Sequence, residues 1–147
     1  MLMDAGANTN CTVINLVQFA QMADIYLQNV LGKHEPRIGL LNIGTEPTKG
    51  NELIKETYQY LTEHAEELGI NFIGNIEGRD CFTGEVDAVI TDGFTGNVFL
   101  KTVEGFGKLV KTNLTESLKK NPLTMLGAIP AMPAINAFKK TMDYKEY

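Results

Sequence analysis

Residues 37–69 read RIGLLNIGTEPTKGNELIKETYQYLTEHAEELG. Arg37 to Ile43 is a short apolar run between Pro36 and Gly44, which predicts a strand covered on both faces. From about Lys49 to Leu68, Leu53, Ile54, Tyr58, Leu61, Ala65 and Leu68 recur at helical spacing, with Glu56, Glu63 and Glu66 on the opposite side and Gly69 as the stop. A buried strand, a polar loop and an amphipathic helix in that order form the first half of a parallel crossover unit.

The pattern repeats on both sides. Upstream, Leu2 to Asp4 resembles the end of a strand. Val13, Leu16, Val17, Ala20, Ala23, Leu27, Val30 and Leu31 then predict a helix over 12–31, capped by Asn10 or Thr12 and ended by Gly32. Downstream, short strands are expected at Asn71 to Gly74 and Ala88 to Thr91, separated by the loop NIEGRDCFTGEV. A third helix opens at Thr95 and ends near Asn121 and Pro122. Phe99, Val103, Phe106, Val110 and Leu114 mark one of its faces, and Lys101, Lys108 and Lys111 the other. These elements predict an α/β fold with a mainly parallel sheet. Three or four strands are few for such a sheet, so residues 1–121 read as a partial α/β domain. Residues 122–147 read as an apolar loop, broken by Gly127, Pro130 and Pro133, followed by a C-terminal helix.

Charge is distributed unevenly. Residues 1–100 hold five Lys/Arg against fourteen Asp/Glu, and residues 101–147 hold eight Lys against four acids, so the overall −5 divides into −9 and +4. A basic end beside an acidic body suits an anionic membrane surface or an acidic protein. Nucleic acid is not expected as a partner, because there are only two arginines, Arg37 and Arg79, and no tryptophan. Cys11 and Cys81 lie far apart, without a CxxC or a paired histidine, so neither a metal site nor a disulfide framework is indicated and a reducing cytoplasm is expected. The sequence shows neither a secretory signal nor an apolar run of spanning length.

Three polar, glycine-bearing loops follow predicted strands and lead into helices: 4–10 (DAGANTN), 42–51 (NIGTEPTKGN) and 91–97 (TDGFTGN). In open α/β folds, ligands bind at these strand ends, and helix N-termini favour anions. The candidate phosphate or substrate ligands are therefore Asn8 in the first loop and Gly44, Thr45, Gly50 and Asn51 in the second. In the third they are Asp92, Gly93, Thr95 and Gly96, with Asp92 either orienting a ligand or capping the following turn. Thr48 and Asn97 can add side-chain hydrogen bonds, and the Lys49 ammonium can reach the same anion as a point charge. Ser117 is the sole serine, which leaves no serine triad within the chain. His34 and His64 are expected on the surface, and Cys81 beside Asp80 reads as a partly buried thiol without a basic partner. Anion loops without a protein nucleophile suggest that the bound anion itself attacks.

The blocks RIGLLNIGTEPTKGNELIKETY, INFIGNIEGRD and DAVITDGFTGNVFLKTVEG closely resemble the PlsX family of bacterial phosphate acyltransferases, and the likeness runs from MDAGANTNC to MDYKEY. Family members are longer, so the chain corresponds to their middle-to-C-terminal part. The resemblance implies a three-layer αβα fold like that of isopropylmalate dehydrogenase, incomplete in this chain. It also implies transfer of a long-chain fatty acyl group from acyl carrier protein to inorganic phosphate, with no cofactor and no metal. By the family's pattern the KGNE lysine and the GFTGN asparagine are the catalytic pair, which places Lys49 and Asn97 in those roles. A homodimer attached peripherally to the inner face of the cell membrane is implied as well. The alternatives are a non-catalytic fragment that dimerises and docks on carrier protein or membrane, a phosphotransacetylase-like enzyme, and a nicotinamide-dependent dehydrogenase of related fold. The last lacks a dinucleotide fingerprint here. In the C-terminal stretch, Leu126, Ile129, Met132 and Ile135 are expected to touch the membrane or a second subunit, with Lys119, Lys120, Lys139 and Lys140 at the flanks.

Overall fold

The computed structural model describes residues 1–120, 130 and 132–141. Its elements, in chain order, are β1 (Leu2–Met3), α1 (Val13–Asn29), β2 (Arg37–Leu41), α2 (Glu52–Leu68), β3 (Asn71–Ile76), a short 3-10 helix (Asp80–Phe82), β4 (Ala88–Ile90), α3 (Gly93–Lys119) and α4 (Met132–Thr141). They fall into two compact units, residues 1–100 and 101–147.

In the first unit the strands form one parallel sheet in the order β1-β4-β2-β3. Side chains alternate across it, as the two-residue period of a strand requires. Ile38 and Leu40 of β2, with Ala88 and Ile90 of β4, join Leu16, Ala20, Ala23 and Leu27 of α1 and Ile54 and Leu61 of α2 in the main core. Each fully buried leucine or isoleucine among them contributes about 1.5–3 kcal/mol relative to exposure. On the other face Leu41, Val89 and Ile76 pack with Leu2, Cys81 and Val86. Phe99, in the second turn of α3, stacks on Phe82 at a ring-centroid distance of 6.0 Å. The result is an α/β unit with helices α1 and α2 on one face of a parallel sheet, consistent with a three-layer fold.

Local signals account for the element boundaries. Thr12 and Asn15 form a capping box at the start of α1, and the Asn51 side chain accepts from the Ile54 N–H (3.0 Å) at the start of α2. Gly69 ends α2 in the left-handed region (φ 69°), with its N–H donating to the Glu66 carbonyl. Helix α2 therefore starts at Glu52 rather than Lys49, because Asn51 is its cap; Lys49 stays in the loop. In β3, Ile38 pairs with Phe72 and Gly39 with Gly74, so Ile73 is the extra residue of a bulge. At the opposite edge of the sheet from the loops, the Asp87 carboxylate accepts from the Arg37 N–H (2.9 Å), Arg37 Nε (3.0 Å) and Lys33 Nζ (2.6 Å). The Arg37 hydrogen bonds, with help from Lys33, hold the Asp87 carboxyl far below the usual carboxylate range. This cluster ties the starts of β2 and β4 together.

The second unit contains the rest of α3 together with α4. Among its described residues none is buried; Phe106 (62%) and Leu109 (55%) of α3 are largely exposed, and Lys101 pairs with Glu104 at 2.8 Å. Pro133 is accommodated in the first turn of α4. Met132 is exposed and Ile135 half-buried, whereas Leu126 and Ile129 lie outside the described residues. Among the described residues no helix is long and apolar enough to cross a membrane.

Candidate functional site

Because β4 lies between β1 and β2 and all three are parallel, the loops that follow them leave the same edge of the sheet side by side. The sheet thus gathers three polar loops, two of which, 4–10 and 91–97, lie at opposite ends of the first unit's sequence. Thr9, Asn10 and Cys11 from the first, Asn51 and Leu53 from the second, and Asp92, Phe94 and Thr95 from the third line a cleft of about 630 Å³.

In the first and third loops several amides are already occupied, although among the described residues those of Thr9, Asn10 and Phe94 donate to no protein acceptor. Asp4 turns its carboxylate back on its own loop and accepts from the N–H groups of Gly6 (3.0 Å), Ala7 (3.1 Å) and Asn8 (2.5 Å). Burial opposes ionisation of Asp4, but these backbone donors outweigh it and lower its pKa. At the start of α3, Asp92 accepts from the Thr95 N–H and the Thr95 hydroxyl, both at 2.8 Å. The Gly93 N–H donates to the Asn8 carbonyl (2.8 Å) and the Gly96 N–H to the Asp92 carbonyl (2.9 Å). Asp92 is therefore the cap of α3, and the amides of Gly93, Thr95 and Gly96 have protein acceptors. Asn8 meets the third loop through its backbone, where its carbonyl also accepts from the Cys11 thiol (3.2 Å).

These two loops also touch each other closely. A methyl group added at Gly93 would lie 2.8 Å from the Asn8 carbonyl oxygen, and one added at Gly96 would overlap the Asp4 carbonyl oxygen. Gly6, at φ 141°, faces the Asn97 carboxamide, and a methyl group there would stand 2.8 Å from Asn97 Nδ2. Asn97 is solvent-exposed beside that glycine.

The second loop is built differently. Its Gly44 is buried and supports the stem of Lys49, so that a methyl group at Gly44 would lie 3.1 Å from Lys49 Cγ and 2.8 Å from Glu46 Oε2. Among the described residues, the N–H groups of Gly44 and Thr45 donate to no protein acceptor. Thr45, Thr48 and Lys49 are exposed. Gly50 takes φ 89°, a conformation that glycine adopts without strain, and packs against Asn42. Neither Lys49 nor Asn97 is among the residues lining the cleft; each stands on an exposed loop or helix start at the same sheet edge.

Of the other candidate nucleophiles and bases, Cys11 lines the cleft, whereas Cys81 and His64 do not. Burial raises the pKa of both Cys81 and Cys11, which keeps them as thiols. His64 is not on an open surface; its ring stacks on Tyr60 at 4.3 Å and bonds the Tyr60 carbonyl at 3.0 Å. Sequence reasoning missed Asn42 and Asn75, whose amides fasten the second loop. The Asn75 Nδ2 group donates to the Glu46 carbonyl and the Asn42 Nδ2 group to the Lys49 carbonyl, both at 3.1 Å. The signal was a polar asparagine at the end of an otherwise apolar strand, in LLNIG and in FIGNI.

The phosphate acyltransferase of Elusimicrobium minutum is 52% identical over 143 residues, covering 97% of this chain and 41% of the relative. That of Aquifex aeolicus is 46% identical over 147 residues, covering all of the chain and 42% of the relative. That of Bacillus licheniformis is 48% identical over 151 aligned residues and is covered to 43%. The chain therefore spans less than half the length of these relatives. The sequence profile described as fatty acid synthesis protein matches residues 1–147 from end to end, and the chain belongs to that family.

Proposed function

We propose that this chain carries the phosphate-binding loops of an enzyme that transfers a long-chain fatty acyl group from acyl carrier protein to inorganic phosphate, giving an acyl phosphate. The observation that carries the reading is the contrast among the three loops. Only the second combines an exposed lysine with amides, at Gly44 and Thr45, that have no protein acceptor. An anion is favoured there by the Lys49 charge and by the unengaged N–H groups. It is disfavoured at the other two loops, where Asp4 and Asp92 already supply the negative charge. The relatives' name, phosphate acyltransferase, supplies the chemistry.

In this reading a phosphate oxygen held by Lys49, Gly44 and Thr45 attacks the thioester carbonyl. The oxyanion that develops needs a preorganised donor, which is the role we assign to the Asn97 carboxamide. Collapse of the tetrahedral species breaks the carbon–sulfur bond, releases carrier-protein thiolate and leaves the acyl group on phosphate. Asn51, Asp92, Thr95 and Gly96 act on the site mainly through helix capping and loop packing rather than as direct phosphate ligands. The partners that fit the exposed lysines Lys108 and Lys111 and the exposed Phe106 and Leu109 of the second unit are an acidic carrier protein, a second copy of the chain and the anionic inner face of the cell membrane.

Two measurements test the proposal. Inorganic phosphate should shift the side-chain resonance of Lys49 in this chain, and Lys49→Ala should abolish saturable binding. Thiol release from a long-chain acyl thioester of carrier protein should require phosphate, assayed with this chain and the Elusimicrobium minutum relative in parallel. Lys49→Ala and Asn97→Ala should each lower turnover by about 10² or more, the cost of one lost oxyanion donor. Phosphate-independent release, or parental turnover in either variant, defeats the assignment.

A further inference from the structure

The Lys49 peptide is held from both sides. Its N–H donates to the Glu46 carbonyl at 3.1 Å, and that same carbonyl accepts from Asn75 Nδ2 at 3.1 Å. Its carbonyl in turn accepts from Asn42 Nδ2 at 3.1 Å. Asn42 and Asn75 sit at the ends of neighbouring parallel strands, where the Asn42 N–H also donates to the Ile76 carbonyl at 2.8 Å. Asn75 is only 6% exposed, and its Oδ1 atom has no partner. An asparagine buried with half of its carboxamide unsatisfied costs stability on its own account, so what remains is the donor it gives the loop. The Asn42 Oδ1 atom accepts from the Ile43 N–H at 2.8 Å, which orients that carboxamide toward Lys49.

We infer that Asn42 and Asn75 are positioning residues for Lys49, clamping the backbone of the second loop so that the lysine stem lies across Gly44 with its ammonium in solvent. The inference deepens the reading of Lys49 as a phosphate ligand and rests on it. Without the clamp the loop has one internal turn bond, from Lys49 N–H to the Glu46 carbonyl, and a flexible lysine pays more ordering entropy on binding. Two side chains from two strands therefore act on one charge that neither touches.

The variant Asn75→Leu keeps the approximate side-chain volume, removes the donor and adds no charge. Its Lys49 amide should exchange with solvent about fivefold to tenfold faster, the scale of one lost hydrogen bond, while amides in α1 and β2 keep their parental rates. Phosphate should bind it at least about fivefold more weakly, because the folded loop no longer presents the lysine in one place. Asn42→Ala, at a half-buried position, gives a second route to the same two readouts if the leucine variant does not fold. Lys49 exchange and phosphate affinity both within twofold of the parent would overturn the clamp, and so would faster exchange spread evenly over α1 and β2. A parent chain that binds no phosphate would instead defeat the functional reading, and the exchange rate at Lys49 would still decide whether the asparagines hold the loop.

Discussion

The loop 42–51 and the loops on either side of it start from the same ingredients: a strand end, glycines, a hydroxyl residue and a helix start. They differ in whose charge meets the amides. In 4–10 and 91–97 the chain's own carboxylates, Asp4 and Asp92, take the N–H groups of Gly6, Ala7, Asn8 and Thr95, and methyl groups at Gly93 and Gly96 would collide with the first loop. In 42–51 no carboxylate caps the Gly44 and Thr45 amides, and the carboxamides of Asn42 and Asn75 bind carbonyls instead. A glycine-rich strand-to-helix loop can offer an anion only those donors that the fold has left unengaged.

The sharpest way to break this contrast is Gly96→Ala. The added methyl collides with the Asp4 carbonyl, which is backbone and cannot rotate away. We expect a loss of about 3 kcal/mol in denaturant unfolding, at the upper end for overpacking. A loss below about 1 kcal/mol would show that the first and third loops are not packed as one body. Next in size is Asp92→Ala, which removes the cap of α3 and should cost about 1 kcal/mol while leaving phosphate affinity equal to or above the parent's. Weakened phosphate binding with an unchanged melt would make Asp92 a ligand-orienting residue and erase the difference between the loops. The smallest effect is on pH dependence. The folded Asp4 pKa lies below its ordinary value of 3.8, so its stabilisation is complete above that value and fades as pH falls through the lower folded one. Asp4→Asn should therefore flatten the acid limb of stability below about pH 4 and leave the neutral range unaltered in slope. A parental acid limb in that variant would show that the three backbone donors do not distinguish the charged carboxylate.

Much of the first unit was legible from pattern. The apolar run at Arg37 became β2, the helical spacing from Leu53 to Leu68 became α2, and Gly69 ended it through a left-handed turn. The likeness of the blocks to phosphate acyltransferases agrees with the family match along the whole chain. The site was less legible. Asp92 was expected either to orient a ligand or to cap a turn, and whether Thr95 can reach its carboxylate depends on where α3 starts. The apolar stripe through Val103, Phe106 and Val110 marked a face of α3, but among the described residues of the second unit that face has no buried member. Periodicity tells which side of a helix repels water; it carries no information on what the side meets.

What the sequence determined by itself was local: strand and helix identity, a cap at Asn10 or Thr12, the stop at Gly69, the polar loops at strand ends and the charge division along the chain. These depend on backbone propensities and on the spacing of apolar residues within a few turns. What the tertiary structure decided was adjacency. β4, the last strand among the described residues, inserts between β1 and β2, because a parallel sheet pairs strands through long crossovers whose lengths do not dictate order. That insertion sets Asp4 against α3, and the pairing of β2 with β3 puts Asn75 under the Glu46 carbonyl, because hydrogen bonds between segments tens of residues apart exist only once the sheet has brought them within about 3 Å.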